Sequence, residues 1–163
     1  MSKQNTNNAP PVIEDVIKEK LVGEAQKNAL DFVAAMQEKE FSFVGWDSGS
    51  EVGWTPTYNG KGLGTTLIND QFMFFIGLDW NFDDSRAVED EIKEFVWAHI
   101  TVCPQEPCAP PYCQADEHND NHSKNRWKIF GKEYESTCNA PLQFIGPDAK
   151  TLDNIKKLLL MTK

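Results

Sequence analysis

The chain has 163 residues, a net charge of -9, 40% hydrophobic residues and an aromatic content that includes ten Phe and five Trp. This length suits one domain with a single core, and a chain so rich in aromatic residues is not disordered as a whole. Because twenty-five acidic residues oppose sixteen basic ones, the average surface repels nucleic acids and anionic membranes, and we expect neither as a partner.

The first eleven residues are polar, rich in asparagine, and end in Pro10-Pro11. This composition predicts a disordered leader over residues 1–11, followed by a single domain over residues 12–163. No apolar stretch behind the polar start has the length of a signal peptide core or of a membrane-spanning helix. We therefore expect a soluble, cytoplasmic protein.

Three segments have the spacing of amphipathic helices. From Val12 to about Lys39, apolar residues recur every three or four positions, and Gly23 is expected to divide this segment into two helices. A second helix is predicted from about residue 88 to about Ile100, behind acidic residues that favour a helix N-terminus. Pro147 and Asp148 open a third helix at the C-terminal end.

The segments between these helices have the composition of β-strands. Residues 41–80 are rich in aromatic, β-branched and glycine residues, and the pair Asn59-Gly60 is a common signal for a tight hairpin. Further short strands are predicted at residues 127–130 and 142–145. Together these elements predict an α+β fold, in which an N-terminal, a middle and a C-terminal helix pack on an antiparallel sheet of four to six strands.

The stretch CPQEPCAPPYC, residues 103–113, places three cysteines at a regular spacing among prolines, at the start of a loop predicted over about residues 103–126. All four cysteines and all three histidines of the chain fall between residues 99 and 138. Thiolate sulfur and imidazole nitrogen are the ligands that zinc prefers, and in a reducing compartment clustered cysteines favour metal over disulfides. We predict a structural zinc site that pins this loop, with the ligands Cys103, Cys108, Cys113 and Cys138 and with His99 in reserve.

Alternatives remain open for these residues. His99 lies one predicted helical turn before Cys103, on the same side of the helix, but a histidine at an apolar helical position is more often a half-buried core residue. Cys138 would also suit a small core position, and His118 and His122, among acidic and amide residues, are expected to be solvated. Three protein ligands would leave a place for water and make the protein a metal-dependent enzyme. Without a metal, it would be an interaction protein with free thiols.

The tryptophans are a second feature. Amphipathic rings over a sheet can line a pocket for a small-molecule ligand, and Trp54, Trp80 and Trp97 are the candidates, with core packing as the alternative. Nucleotide binding is not indicated, because the alternating glycines of residues 60–64 lie in the predicted hairpin and precede no helix. The predicted function is therefore a binding module, with the metal-dependent enzyme and the interaction protein as alternatives.

Two resemblances add to these patterns. The segment IFGKEYESTC, Ile129 to Cys138, together with residues 147–152 and 155–158, resembles small uncharacterised bacterial proteins that carry a cysteine-containing loop and end in a Lys-rich helix. This resemblance implies a bacterial cytosolic protein but no particular activity. Residues 54–68 look like part of the sheet of gyrase-inhibitor-like effector-binding domains, which implies a small-molecule ligand on an α+β scaffold.

Overall fold

A computed structural model describes residues 10–77, 88–102, 127–134 and 137–161. In this part of the chain the helices are α1 (Ile13–Lys20), α2 (Gly23–Glu38), α3 (Asp90–Ala98) and α4 (Ala149–Leu160). The strands are β1 (Ser42–Asp47), β2 (Val52–Tyr58), β3 (Lys61–Gly62), β4 (Thr65–Ile68), β5 (Phe72–Ile76), β6 (Ile100–Val102), β7 (Trp127–Ile129), β8 (Lys132–Tyr134) and β9 (Thr137–Ile145). The predicted α+β class is confirmed, with helices at the N-terminal end, in the middle and at the C-terminal end.

The main sheet is antiparallel throughout, as predicted. Its strands follow the order β1-β2-β4-β5-β9-β6, and β3 pairs only with β2, which makes seven strands. The strands β7 and β8 form a separate two-stranded hairpin. The long strand β9 joins the second half of the chain to the first, because it pairs with β5 on one side and with β6 on the other.

The predicted hairpin at Asn59-Gly60 connects β2 to β3 and contains an irregularity that the sequence did not predict. The strand β2 pairs first with β3 and then with β4, and the register between these two pairings shifts by one residue. Gly64 lies at this shift with φ +145, and a Cβ there would lie 2.5 Å from the carbonyl oxygen of Phe75. The β3–β4 segment is therefore one strand interrupted by a bulge that requires glycine.

The two faces of the sheet carry different clusters. On one face the phenylalanines of β5 pack beneath the helices, where Phe32 of α2 lies edge-to-face against Phe72 and Phe74, with ring centroids 5.8 and 5.7 Å apart. On the other face Met73 and Phe75 belong to a smaller cluster. This alternation along β5 is what a strand with two buried faces requires.

The helix boundaries agree with most of the predicted signals. The predicted break near Gly23 is confirmed, since α1 ends at Lys20 and α2 begins at Gly23, whose φ is +62. Asp148 caps α4 by accepting a hydrogen bond from the Thr151 backbone N–H over 2.7 Å. The prediction that α3 extends to about Ile100 is wrong, because the helix ends at Ala98 and residues 100–102 form β6. The run Ile-Thr-Val is β-branched throughout, which disfavours a helix and favours a strand.

The predicted leader lies mostly outside the described residues, but its last two residues contact the sheet. The indole N–H of Trp54 donates to the carbonyl oxygen of Pro11 over 3.0 Å. Pro10 lies so close to Gly45 that a Cβ on this glycine would meet it at 2.5 Å. The described part of the domain thus includes both prolines. None of the helices in this part of the chain is long and apolar enough to cross a bilayer.

Candidate functional site

The predicted metal ligands lie largely outside the part of the chain that the structure describes. Cys103, Cys108 and Cys113 fall there, together with His118 and His122. Cys138 belongs to β9 by its backbone, and its side chain is not among those described. Among the described side chains, no three His, Cys, Asp or Glu residues form a group that could hold a metal ion. The zinc site therefore stays a prediction, and His99 is the one candidate ligand whose side chain is among those described.

His99 is the C-cap residue of α3 and is half-buried between this helix and β9. Its Nδ1 lies 2.7 Å from the carbonyl oxygen of Phe95, and since a carbonyl oxygen only accepts, Nδ1 carries the proton and donates. The ring lies 4.5 Å from that of Phe95 and 5.2 Å from that of Phe144, measured between centroids. In the neutral ring this leaves Nε2 as the nitrogen with a free lone pair, within an aromatic contact that joins α3 to β9.

The strand β6 changes the expected relation between His99 and Cys103. Because residues 100–102 are extended, the two are not separated by one helical turn, and they do not share one side of a helix. A strand rises about 3.3 Å per residue, so the Cα atoms of His99 and Val102 lie about 10 Å apart. The ring of His99 contacts Phe144, whereas Cys103 follows Val102 at the other end of β6. This geometry favours packing as the role of His99.

The pairing of β6 with β9 brings together the two ends of the cysteine segment, which we define as residues 103–138. Ile100 lies opposite Leu142 and Val102 lies opposite Thr137, with an irregular register between the two pairs. Five steps along β9 thus match two steps along β6, so the regular pairing is interrupted in β9. The last residue of β6 thus lies beside the first residue of β9.

The β7–β8 hairpin lies within the cysteine segment and is anchored on α3. The indole N–H of Trp97 donates to the carbonyl oxygen of Ile129 over 2.9 Å, and the ammonium of Lys132 lies 3.7 Å from the centroid of the Trp97 ring. Ile129 is 1% exposed and belongs to the main core. The contacts that hold the hairpin thus include this hydrogen bond, the cation–π contact and the buried side chain of Ile129, and Phe130 and Tyr134 pack against the same core.

The tryptophans predicted to line a ligand pocket have separate roles where they are described. Trp54 is 2% exposed and uses its N–H for Pro11, and Trp97 uses its N–H for Ile129. Trp80 lies outside the described residues. Both described indoles thus make internal hydrogen bonds. The pocket between the three tryptophans stays a prediction.

The structure contains a cleft that the sequence patterns did not indicate as a site. It has a volume of about 240 Å³ and lies where the β2–β3 hairpin meets β4 and the end of β5. None of the described tryptophans lines it. Its walls are formed by Thr55, Lys61, Gly62, Leu63, Gly64, Thr65, Ile76 and Gly77. The signal in the sequence is the alternation of glycines around residue 62, which indicates a hairpin but does not reveal the bulge that opens the cleft.

No family model, no curated protein and no solved structure matches this chain. The two resemblances drawn from the sequence therefore stay predictions.

Proposed function

We propose that the protein is a cytoplasmic binding module in which a zinc ion pins the cysteine segment through Cys103, Cys108, Cys113 and Cys138. The observation that supports this most directly is the pairing of Val102 with Thr137. Paired Cα atoms in antiparallel strands lie about 4.5–5.5 Å apart. Val102 and Thr137, which directly precede Cys103 and Cys138 in the sequence, are therefore neighbours in the sheet.

The second support is the energetic requirement of the segment itself. Its first part, residues 103–126, joins β6 to the anchored β7–β8 hairpin and has no apolar period that would bury it against a core. Fixing the backbone of one residue costs about 1–2 kcal/mol, whereas a structural zinc ion contributes about 10–16 kcal/mol in small domains. The free energy of binding one zinc ion would therefore offset the conformational entropy that is lost when about ten residues become ordered. Loops of this length in compact domains usually have such a clamp or a function.

The ligand set favours a structural role for the metal over catalysis. Four thiolates complete a tetrahedron and leave no position for water, and their combined negative charge makes the zinc a poor Lewis acid. His99 makes its contacts at the opposite end of β6, which supports a site formed by cysteines alone. The zinc would thus contribute to folding, and the binding function would belong to other surfaces of the domain.

Metal analysis of protein purified under reducing conditions without added zinc tests the proposal. We expect about one equivalent of zinc, lost in Cys108→Ser and retained in His122→Gln, a control in the same segment. Cobalt substitution should give the intense visible absorption of a tetrahedral thiolate site. Less than about a tenth of an equivalent, with no uptake on titration, would refute the zinc clamp.

The same preparation separates the two alternatives. If a water molecule occupies the fourth position, X-ray absorption of the zinc form will show a mixed sulfur and oxygen shell, and the metal-dependent enzyme becomes the better proposal. If the thiols are free, all four cysteines will react with a thiol reagent whether or not a chelator is present. In the zinc clamp they react only after chelation.

A further inference from the structure

The cleft beside the β3–β4 bulge carries one positive charge and no negative one. Lys61 is the one charged residue among those that line it. Its side chain is exposed and makes no ion pair with any residue in the described ranges, whereas Lys27 and Lys93 hold carboxylates at 2.9 and 3.0 Å. On a chain with a net charge of -9, an ammonium without a carboxylate partner beside a cleft is available for an anionic ligand.

Hydroxyl groups and apolar surface complete the lining. Thr55 and Thr65 are half-buried on neighbouring strands, and neither hydroxyl group makes a hydrogen bond within the part of the chain that is described. Leu63 and Ile76 line the same cleft but belong to the main core and are 5% and 1% exposed, so they offer a ligand only a small apolar surface. Two hydroxyl donors and one ammonium match a single carboxylate, since a phosphate dianion would require more positive charge, and the apolar residues match a short hydrocarbon chain.

The size of the cleft limits the ligand further. Its volume of about 240 Å³ corresponds to about eight water molecules at roughly 30 Å³ each. We propose that this cleft binds a small monocarboxylate with a short aliphatic chain, whose carboxylate lies against Lys61 and the two threonines. This inference rests on the proposal that the protein is a binding module, but it does not depend on zinc, because no residue of the cleft belongs to the cysteine segment.

Titration of ¹⁵N-labelled protein with sodium butyrate tests the inference, with sodium chloride and the uncharged butyramide as matched additions. We expect saturable amide shifts at Lys61, Gly62 and Gly77 with butyrate, and neither chloride nor butyramide should reproduce them. The substitution Lys61→Gln should weaken butyrate binding about tenfold, because it removes a charge-assisted contact. The control Lys150→Gln, at an exposed lysine of α4 that also makes no ion pair in the described ranges, should leave it unchanged.

Three results would overturn the inference: no saturable shift with butyrate, equal binding of butyramide, or equal weakening by Lys61→Gln and Lys150→Gln. The last result would mean that only the overall charge of the protein matters. We expect the Lys61→Gln variant to fold correctly, since the side chain is exposed. An amide spectrum that is unchanged outside the cleft would verify correct folding. Failure of the zinc analysis would leave this test intact, and failure of the titration would leave the zinc clamp intact.

Discussion

Replacing Trp97 with phenylalanine tests whether the β7–β8 hairpin is held on α3 by the contacts of one side chain. The substitution keeps an aromatic ring but removes the N–H that donates to the Ile129 carbonyl oxygen. A buried group left without its partner costs about 1–3 kcal/mol, and the lower half of this range applies because the bond is only partly buried. Weakening the contact with Lys132 adds about 0.5 kcal/mol. We expect the free energy of unfolding to fall by about 1.5–2.5 kcal/mol.

Urea unfolding measures this loss, provided that the dependence of the free energy of unfolding on urea concentration stays the same in the variant. In thermal unfolding the loss corresponds to a decrease in Tm of about 3–10 °C. Trp46→Phe is the matched control, since Trp46 packs against Leu67 and Met73 but its indole makes no hydrogen bond with the described residues. The control should lose about 1 kcal/mol less than Trp97→Phe, the contribution of one hydrogen bond. Equal losses for the two variants, within about 0.5 kcal/mol, would refute the reasoning that the N–H anchors the hairpin.

Two further predictions concern the bulge and the cap of α4. Gly64→Ala should lower the free energy of unfolding by about 2–4 kcal/mol, because the added Cβ meets the Phe75 carbonyl oxygen at positive φ. Gly60→Ala is the control, since Gly60 also has a positive φ of +78 but no atom lies within 4 Å of the added Cβ. This control should lower the free energy of unfolding by about 1 kcal/mol. Urea unfolding compares them, and similar losses would contradict the close approach. The side-chain hydrogen bond with Thr151 and the bond from its backbone N–H lower the pKa of Asp148 from its ordinary 3.8. Because the pKa is lower in the folded state, the cap contributes stability above pH 3.8, and this contribution is lost as the pH falls through the folded-state pKa. The Tm of the wild type should therefore fall more steeply than the Tm of Asp148→Ala as the pH decreases from about 5 to 2. Parallel curves would show that the cap does not titrate with folding.

The elements that were predicted correctly are mostly long segments in which apolar residues recur at one regular spacing. The spacing of apolar residues in α2 and α4 and the cap at Asp148 are local signals, and local signals specify helices. The pair Asn59-Gly60 likewise specifies a tight turn through positive φ at both positions, 49 and 78. No long-range information is needed for either kind of element.

The missed elements are short or depend on distant partners. The strand β6 has three residues, and among the described strands it pairs with β9 alone. The sequence predicts β7, at residues 127–130, but not β8 or the hydrogen bond that attaches this hairpin to Trp97. The bulge at Gly64 depends on how β2 pairs with β3 and β4. In each case the local sequence has only a weak preference for one secondary structure, and tertiary contacts determine which structure forms.

The contrast between local sequence signals and tertiary contacts also explains which candidate sites the sequence indicates. A cysteine spacing identifies a chemistry without tertiary information, because thiolates have few other uses at such density. The cleft at Lys61 has no such signature, since its lysine, threonines and glycines occur in any hairpin. Only the one-residue shift between β3 and β4 brings them together around an open volume. Sequence patterns therefore lead to the proposed metal site but give no indication of the cleft.

The correction at β6 also changes how the zinc proposal should be tested. A helix running to Ile100 would have placed His99 and Cys103 on one side, so that substitution of either residue would disturb the metal. With β6 in between, His99 belongs to the aromatic contact with Phe95 and Phe144. His99→Gln should therefore lower stability without releasing zinc, whereas Cys103→Ser should release zinc. Loss of metal from His99→Gln in folded protein would show that the imidazole is a ligand and that the site extends along the whole of β6.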